Sequence, residues 1–169
     1  MPRGEAILVR PARPSDLKAL GRMGASLARA HHRWDPQRFF LIEPAEEGYA
    51  WWLGKELTNR RAVVLVAQRG RKVVGYAYGR IEPRDWNSLR DRCGVGIDLM
   101  VEPGSRRRGV GNLLGEALIE ALRKKGAPRV ILQAAARNRR AQRFFAARGF
   151  RPTVVEMALE LSPGKPGRA

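Results

Sequence analysis

The stretch from Ile97 to Leu122, IDLMVEPGSRRRGVGNLLGEALIEAL, restricts the fold of this chain more than any other. Ile97, Leu99 and Val101 recur at period two and predict one face of a strand. Pro103 and Gly104 end that strand and open a loop carrying Arg106, Arg107 and Arg108. From Gly109 the apolar residues Val110, Leu113, Leu114, Ala117, Leu118, Ala121 and Leu122 fall at helical spacing. Gly126 and Pro128 close the helix, with Arg123, Lys124 and Lys125 at the negative end of its dipole. The first amides of a helix have no intrahelical acceptor, so a strand, a Gly/Arg loop and a helix start together suit phosphate. Gly109 and Gly111 have no side chain to obstruct a diphosphate.

Two common phosphate motifs fail here. Gly104 to Gly109 has the glycine spacing of a Walker loop, but Val110 and Gly111 stand where Lys and Ser/Thr are needed. A dinucleotide fingerprint starting at Gly109 would need Gly or Ala at Leu114. What remains is Arg-x-x-Gly-x-Gly, Arg106 to Gly111, directly after a strand. It resembles the acyl-CoA pyrophosphate loop of the GNAT N-acetyltransferase superfamily. Taken alone, the loop reads equally well as a glycine-bearing helix start with exposed arginines.

A second segment adds to the resemblance. Val130 to Ala136 is nearly all apolar and predicts a strand buried on both faces. Asn138 then suits a helix N-cap, Ala141, Phe144 and Phe145 share a helix side, and Gly149 suits the C-cap. Asn-x-x-Ala-x-x-Phe-Phe-x-x-x-Gly-Phe, from Asn138 to Phe150, is similar to the second GNAT signature. The rest of the chain fits around these two. Ala6 to Arg10 reads as a strand, Ser15 as the cap of a helix with Leu17, Leu20, Met23 and Leu27 on its apolar face, and Glu46 to Leu57 as a second helix. His31 to Ile42 reads as irregular, broken at Pro36. Ala62–Ala67 and Val73–Ile81 read as a hairpin, and Val154–Leu161 as a last strand before a frayed tail at 162–169.

The resemblance covers nearly the whole chain, read as one domain over residues 1–161. It implies an α/β (α+β) fold: a mixed, mostly antiparallel sheet of six to seven strands flanked by helices, with central parallel strands 94–101 and 130–136 splaying apart. It implies acetyl-CoA as co-substrate, with the pantetheine arm bonded to the backbone of Leu99, Met100 and Val101. The diphosphate would lie on Arg106, Arg107, Arg108, Gly109, Val110, Gly111 and Asn112, with Asn138 and Phe144 beside the cofactor. The implied reaction is direct transfer of an acetyl group to a primary amine in a ternary complex, and the family also allows a homodimer.

The residues suggest roles for that chemistry. Asp98 interrupts an apolar strand beside the expected thioester and is the candidate general base; by alternation it should share a face with Gly96 and Met100. Anchoring of a neighbouring loop is the equally weighted alternative, with Glu102, His31 and His32 as other bases. Phe145 stands where many relatives carry a tyrosine that protonates the leaving thiolate, which leaves the general acid open to water, Tyr76 or Tyr78. Releasing the thiolate of a thiol of pKa ~8.5 at pH 7 costs roughly 2 kcal/mol. His32, Trp34, Tyr78 and Trp86 are candidate acceptor contacts, with the Glu82–Gly94 loop reaching over the same cleft. No metal is expected, because the adjacent histidines lack a third ligand at recognisable spacing.

Composition sets the rivals. The chain has 169 residues and a formal charge of +17, from 33 Lys plus Arg against 16 Asp plus Glu. That charge suits an anionic cofactor, and would also suit a basic nucleic-acid-binding protein. The basic residues scatter along the chain and the aromatics hold core-like positions, which favours the first. A non-catalytic acyl-CoA sensor on the same fold is the second rival. A single cysteine, Cys93, the lack of a long apolar run and of a signal segment point to the cytoplasm and to no membrane.

Overall fold

Residues 6–161 are described by a computed structural model. The elements run β1 (Ile7–Pro11), α1 (Leu17–Trp34), α2 (Ala45–Glu56), β2 (Ala62–Arg69), β3 (Lys72–Glu82), β4 (Cys93–Val101), α3 (Val110–Lys124), β5 (Val130–Leu132) and α4 (Arg139–Ala146). The five strands form one sheet in sequence order, antiparallel except for the parallel pair β4–β5.

Strand alternation sends successive side chains to opposite faces, and each face receives a helical layer. On one face Val63, Leu65, Ala77 and Ile81 pack against Val110, Leu114, Leu118 and Leu122 of α3. On the other, Val64, Val66, Tyr76, Tyr78 and Met100 pack against Leu20 and Met23 of α1 and Leu53 of α2. Helices α1 and α2 approach closely at Gly24, where an added Cβ would lie 2.2 Å from the Tyr49 ring. That contact fixes Tyr49 above the sheet.

The sequence expectations need five corrections. Among the described residues the sheet has five strands, not six to seven. β5 stops at Leu132, and its three apolar residues are half-buried rather than enclosed on both faces. Val154–Leu161 has a strand's apolar pattern but forms no strand, and every residue of 151–161 is exposed. An apolar period makes a strand only when its backbone pairs with a neighbour, and this segment pairs with none among the described residues. At α1, Ser15 is exposed and Asp16 does the anchoring. Pro14 opens a short 3₁₀ turn that delays the helix, and Asp16 accepts the Arg13 amide at 2.8 Å and both Arg10 guanidinium nitrogens. Helix α1 also continues through His31–Trp34, where an irregular segment is expected from the sequence. The tail expected at 162–169 lies outside the described residues.

Candidate active site

β4 carries the site, and a bulge sets its geometry. Pairing with β3 steps from Tyr78↔Asp98 to Gly79↔Gly96, leaving Ile97 as an extra residue. The bulge inverts the alternation. Before it, Gly94 and Gly96 face α3, where an added Cβ would lie 3.2 Å from Leu122 and 4.0 Å from Leu118 respectively. After it, Leu99 and Val101 pack against the α3 cluster while Asp98 and Met100 face α1. The expected grouping of Asp98 with Gly96 is therefore corrected: the two lie on opposite faces because Ile97 intervenes.

Asp98 is 9% exposed and accepts a hydrogen bond from the Tyr76 hydroxyl at 2.9 Å. Burial raises its carboxyl to about 6, against the opposing pulls of the Tyr76 hydrogen bond and the His31 charge. The same neighbourhood acts on the phenols. Burial, then the Asp98 charge, pushes Tyr49 up to about 12 and Tyr76 well above its ordinary value. No cation forms an ion pair with Asp98 among the described residues. A carboxyl in that setting is a stronger base than a solvated one.

The edge of β4 that faces β5 is open beside Asp98. β5 pairs only with Gly94–Gly96, so the strands part while β4 continues to Val101. The Glu102 amide donates to Val74 O, which makes Met100 and Asp98 the inward, hydrogen-bonded positions of the β3–β4 ladder. Leu99 and Val101 accordingly turn their amide and carbonyl groups toward the gap. Met100 does not: its backbone belongs to β3 and its side chain to the α1 face.

Beyond β4 the chain turns through Pro103–Ser105 into the arginine loop. Arg106 folds back, its Nε donating to Val101 O at 2.9 Å. Arg107 holds a left-handed φ of 59° and Gly109 one of 78°, and α3 starts at Val110 with no side-chain cap. The amides of Val110, Gly111 and Asn112 head α3, whose first internal bond is Leu113 N to Gly109 O. Arg107 and Arg108 are exposed and pair with no carboxylate among the described residues. Phe144 covers this turn: its ring lies 3.5 Å from a Cβ built at Gly111 and 3.7 Å from one at Gly115. Arg148 stacks 3.5 Å over Phe144 and donates to Asn112 Oδ1. Asn138 caps α4, its Oδ1 accepting the Ala141 amide at 3.1 Å.

The remaining candidates separate. His31 and His32 sit at the end of α1, their Nδ1 atoms donating to Leu27 O at 2.9 Å and Phe39 O at 2.7 Å. In the neutral rings Nε2 is then the lone-pair nitrogen. Trp34 packs edge-on against His31. Tyr78 is fully buried, edge-on to Trp52, with its hydroxyl donating to Glu56 at 2.7 Å. Trp86 is 76% exposed on the β3–β4 loop, which Arg92 ties to the Lys125 and Gly126 carbonyls at the far end of α3. The length of β4, about 26 Å, separates that loop from the arginine loop. Glu102 is held between Arg22 and Lys72. Cys93 is buried at the start of β4, and burial raises its thiol. Two features escaped sequence reasoning: the Ile97 bulge, which has no residue signature, and Tyr49, whose phenol comes under the Asp98 charge through the α1–α2 packing. Among the described residues no three His, Cys, Asp or Glu side chains could hold a metal together, and no helix is long and apolar enough to cross a membrane.

Known structures share the fold. The tetramutant of the BH1408 protein from Bacillus halodurans matches with a TM-score of 0.80 at 22% identity, over 91% of this chain and 99% of that one. The aminoglycoside N-acetyltransferase AAC(6')-Iy, in complex with CoA, matches with a TM-score of 0.74 at 18% identity, over 95% and 97%. A GCN5-related N-acetyltransferase from Ralstonia eutropha JMP134 matches with a TM-score of 0.71 at 22% identity, over 92% and 99%. Comparison with curated proteins gave no match. Residues 27–150, which hold both signatures, the bulged strand and the arginine loop, match the model of the acetyltransferase (GNAT) family, and the chain belongs to that family.

Proposed function

We propose that this chain, through a single domain over residues 1–161, transfers the acetyl group of acetyl-CoA to a primary amine in a ternary complex in the cytoplasm. The observation that carries the reading is the open β4 edge beside the buried carboxyl of Asp98, which accepts the Tyr76 hydroxyl and has no ion-pair partner among the described residues.

The residues fit an acyl thioester that bears a diphosphate. The uncapped amides of Val110, Gly111 and Asn112, with Arg107 and Arg108, present positive potential at the start of α3. The amide and carbonyl of Leu99 and the amide of Val101 present peptide-like partners to an arm lying between β4 and β5, while Arg106 Nε holds the Val101 carbonyl. Phe144 gives that arm an apolar wall. Acetyl-CoA supplies the activated carbonyl. Asp98 takes the proton from the attacking amine as the C–N bond forms, directly or through one water. A β4 amide stabilises the carbonyl oxygen as it gains charge, and the C–S bond breaks to release thiolate. Phe145 cannot protonate that sulfur, so water returns the proton.

An acceptor panel monitored by free-thiol release tests the reading. Amine-dependent release that disappears in Asp98→Asn supports it; acetyl-CoA binding without release for any amine class would point to a sensor. A homodimer is part of the same reading.

A further inference from the structure

The arginine loop lies at one end of β4, and a second concentration of positive charge lies at the other. There a cavity of about 400 Å³ is lined by Arg60, Arg61, Ile81, Pro83, Arg92 and Lys125. Four of these six residues are cations and none is an acid. Arg60 and Arg61 lie between α2 and β2, Pro83 follows β3, Arg92 precedes β4 and Lys125 closes α3. The charges come from separate parts of the chain, so only the fold brings them together.

Like charges at close range repel, and carboxylates relieve the repulsion at the neighbouring cations. Arg80 pairs with Glu82, Arg84 with Asp91 at 3.1 Å, and Arg123 and Lys124 with Glu120 at 2.8 and 3.6 Å. Arg90 and Arg129 stand under the charges of Asp85 and Asp91. Arg60, Arg61, Arg92 and Lys125 pair with no carboxylate among the described residues. The end of α3 explains part of the cluster. Lys125 Nζ donates to Arg60 O at 2.7 Å, and Arg92 donates to Lys125 O at 3.0 Å and to Gly126 O. These carbonyls fix two side chains without cancelling their charge, since a helix C-terminus carries only about half a negative charge. They do not explain Arg60 and Arg61, whose guanidinium groups bond to no protein acceptor among the described residues.

We infer that this cavity binds a compact polyanion, a small molecule carrying phosphate or carboxylate groups at two or more points. Guanidinium forks match the paired oxygens of either group, and one anionic group alone would leave most of the charge uncompensated. A nucleic-acid strand fits less well, because its backbone follows a continuous row of cations. Here Glu82, Asp91 and Glu120 interrupt the row on the flanking elements. The bound molecule ties the ends of α2, β3 and α3 to the start of β4. The length of β4, roughly 26 Å, separates it from the arginine loop, so the two anion sites fill independently. The site does not rest on the acyl-transfer reading.

Calorimetric titration of the full chain in about 0.15 M salt, with inorganic tripolyphosphate and with citrate, tests it. The titrations use the Arg107→Gln/Arg108→Gln protein, so that the arginine loop does not dominate the signal. At least one probe should bind with one equivalent, and adding Arg60→Gln/Arg61→Gln should weaken it roughly 10-fold or more. All four arginines are exposed, so these variants should fold, which their thermal melts check. Binding of tripolyphosphate alone assigns a phosphate ligand, binding of citrate alone a polycarboxylate, and binding of both a site that selects by charge. If neither probe binds, the proposal falls. It also falls if Arg60→Gln/Arg61→Gln weakens binding no more than the charge-matched, exposed pair Arg71→Gln/Arg151→Gln, because the effect is then net charge and not a site. A single-stranded RNA oligonucleotide that loses more affinity through Arg60→Gln/Arg61→Gln than either small probe would replace the cavity ligand with a nucleic-acid strand.

Discussion

The Tyr76 hydroxyl on β3 reaches diagonally to Asp98 Oδ2 on β4, 2.9 Å away, past Met100, the residue directly opposite it in the ladder. The bond favours the ionised form of Asp98, while burial opposes it and dominates. As a general base Asp98 must be ionised, so turnover should rise with pH through about 6. Asp98→Asn is expected to lower the acyl-transfer rate ~10²-fold or more, with acetyl-CoA affinity little changed. Tyr76→Phe removes the donor and should move the acidic limb of the profile to higher pH. An unmoved limb in a folded Tyr76→Phe protein would separate Asp98 from the titration.

Stability carries an independent sign. The carboxyl of Asp98 titrates higher in the folded chain than its ordinary value of 3.8. Its contribution is therefore fully present below pH 3.8 and is lost as pH rises through about 6. Asp98→Asn should stabilise the protein by up to about 3 kcal/mol above that range and leave it unchanged near pH 4. Thermal melts across pH 4 to 8 read this directly. A carboxylate that anchors a loop through a cation would give the opposite trend.

Asp16 works the other way. The Arg10 hydrogen bonds and the Arg13 amide hold its carboxyl below the ordinary range, so its contribution is present above that range and is lost as pH falls through the folded value. Asp16→Ala is expected to cost about 1–3 kcal/mol at neutral pH, from the lost charged hydrogen bonds and the stranded Arg10. Denaturant titration at pH 7 checks it, and the penalty should shrink in acid.

The cofactor loop has two separable glycines. Gly109 holds a φ of 78° with nothing within 4 Å of an added Cβ, so Gly109→Ala should cost about 1 kcal/mol through backbone strain alone. Gly111→Asp puts a carboxylate beside the first amides of α3 and should abolish the rise in melting temperature produced by acetyl-CoA. Equal acetyl-CoA affinity in folded Gly111→Asp would remove the diphosphate from this loop.

Phe145 lies edge-on between Phe144 and Phe150, with centroids 5.1 and 5.5 Å away. Phe145→Tyr adds a hydroxyl at a half-buried position and should leave turnover equal or higher. A large specific loss in a stable protein would give the ring a role in the reaction.

The elements legible in the sequence are those whose signal is local. The helix from Val110, the hairpin of β2 and β3 and the Asn138 cap follow from period and cap chemistry, and the structure places each within a few residues. The arginine loop was legible as a spacing, because a strand end, a turn and a helix start are all written in adjacent residues. β5 and the segment after Phe150 were not, since an apolar run specifies a strand without saying which edge will receive it. Tyr49 comes under the Asp98 charge through α1–α2 packing and Tyr76 bonds Asp98 by a cross-strand diagonal, separations of 49 and 22 residues along the chain that no local pattern encodes. Trp86 drew attention through its residue type, and the register of β4 puts it at the other end of the strand.

Ile97 uncouples residue number from sheet face in β4. With one residue more than its β3 partner, β4 enters the sheet in one phase and leaves it in the other, so Gly94 and Gly96 admit α3 while Asp98 faces α1. Replacing Ile97 by another side chain leaves that phase alone. Deleting it would make Gly96 and Asp98 consecutive, and strict alternation would then keep Asp98 opposite Tyr78 on the α1 face, with only the local bulge lost. Two sequences of this kind can therefore differ by one position between Gly96 and Asp98 and keep the same faces, so alignments here must follow the pairing with β3 and not a fixed spacing between the glycines and the carboxylate.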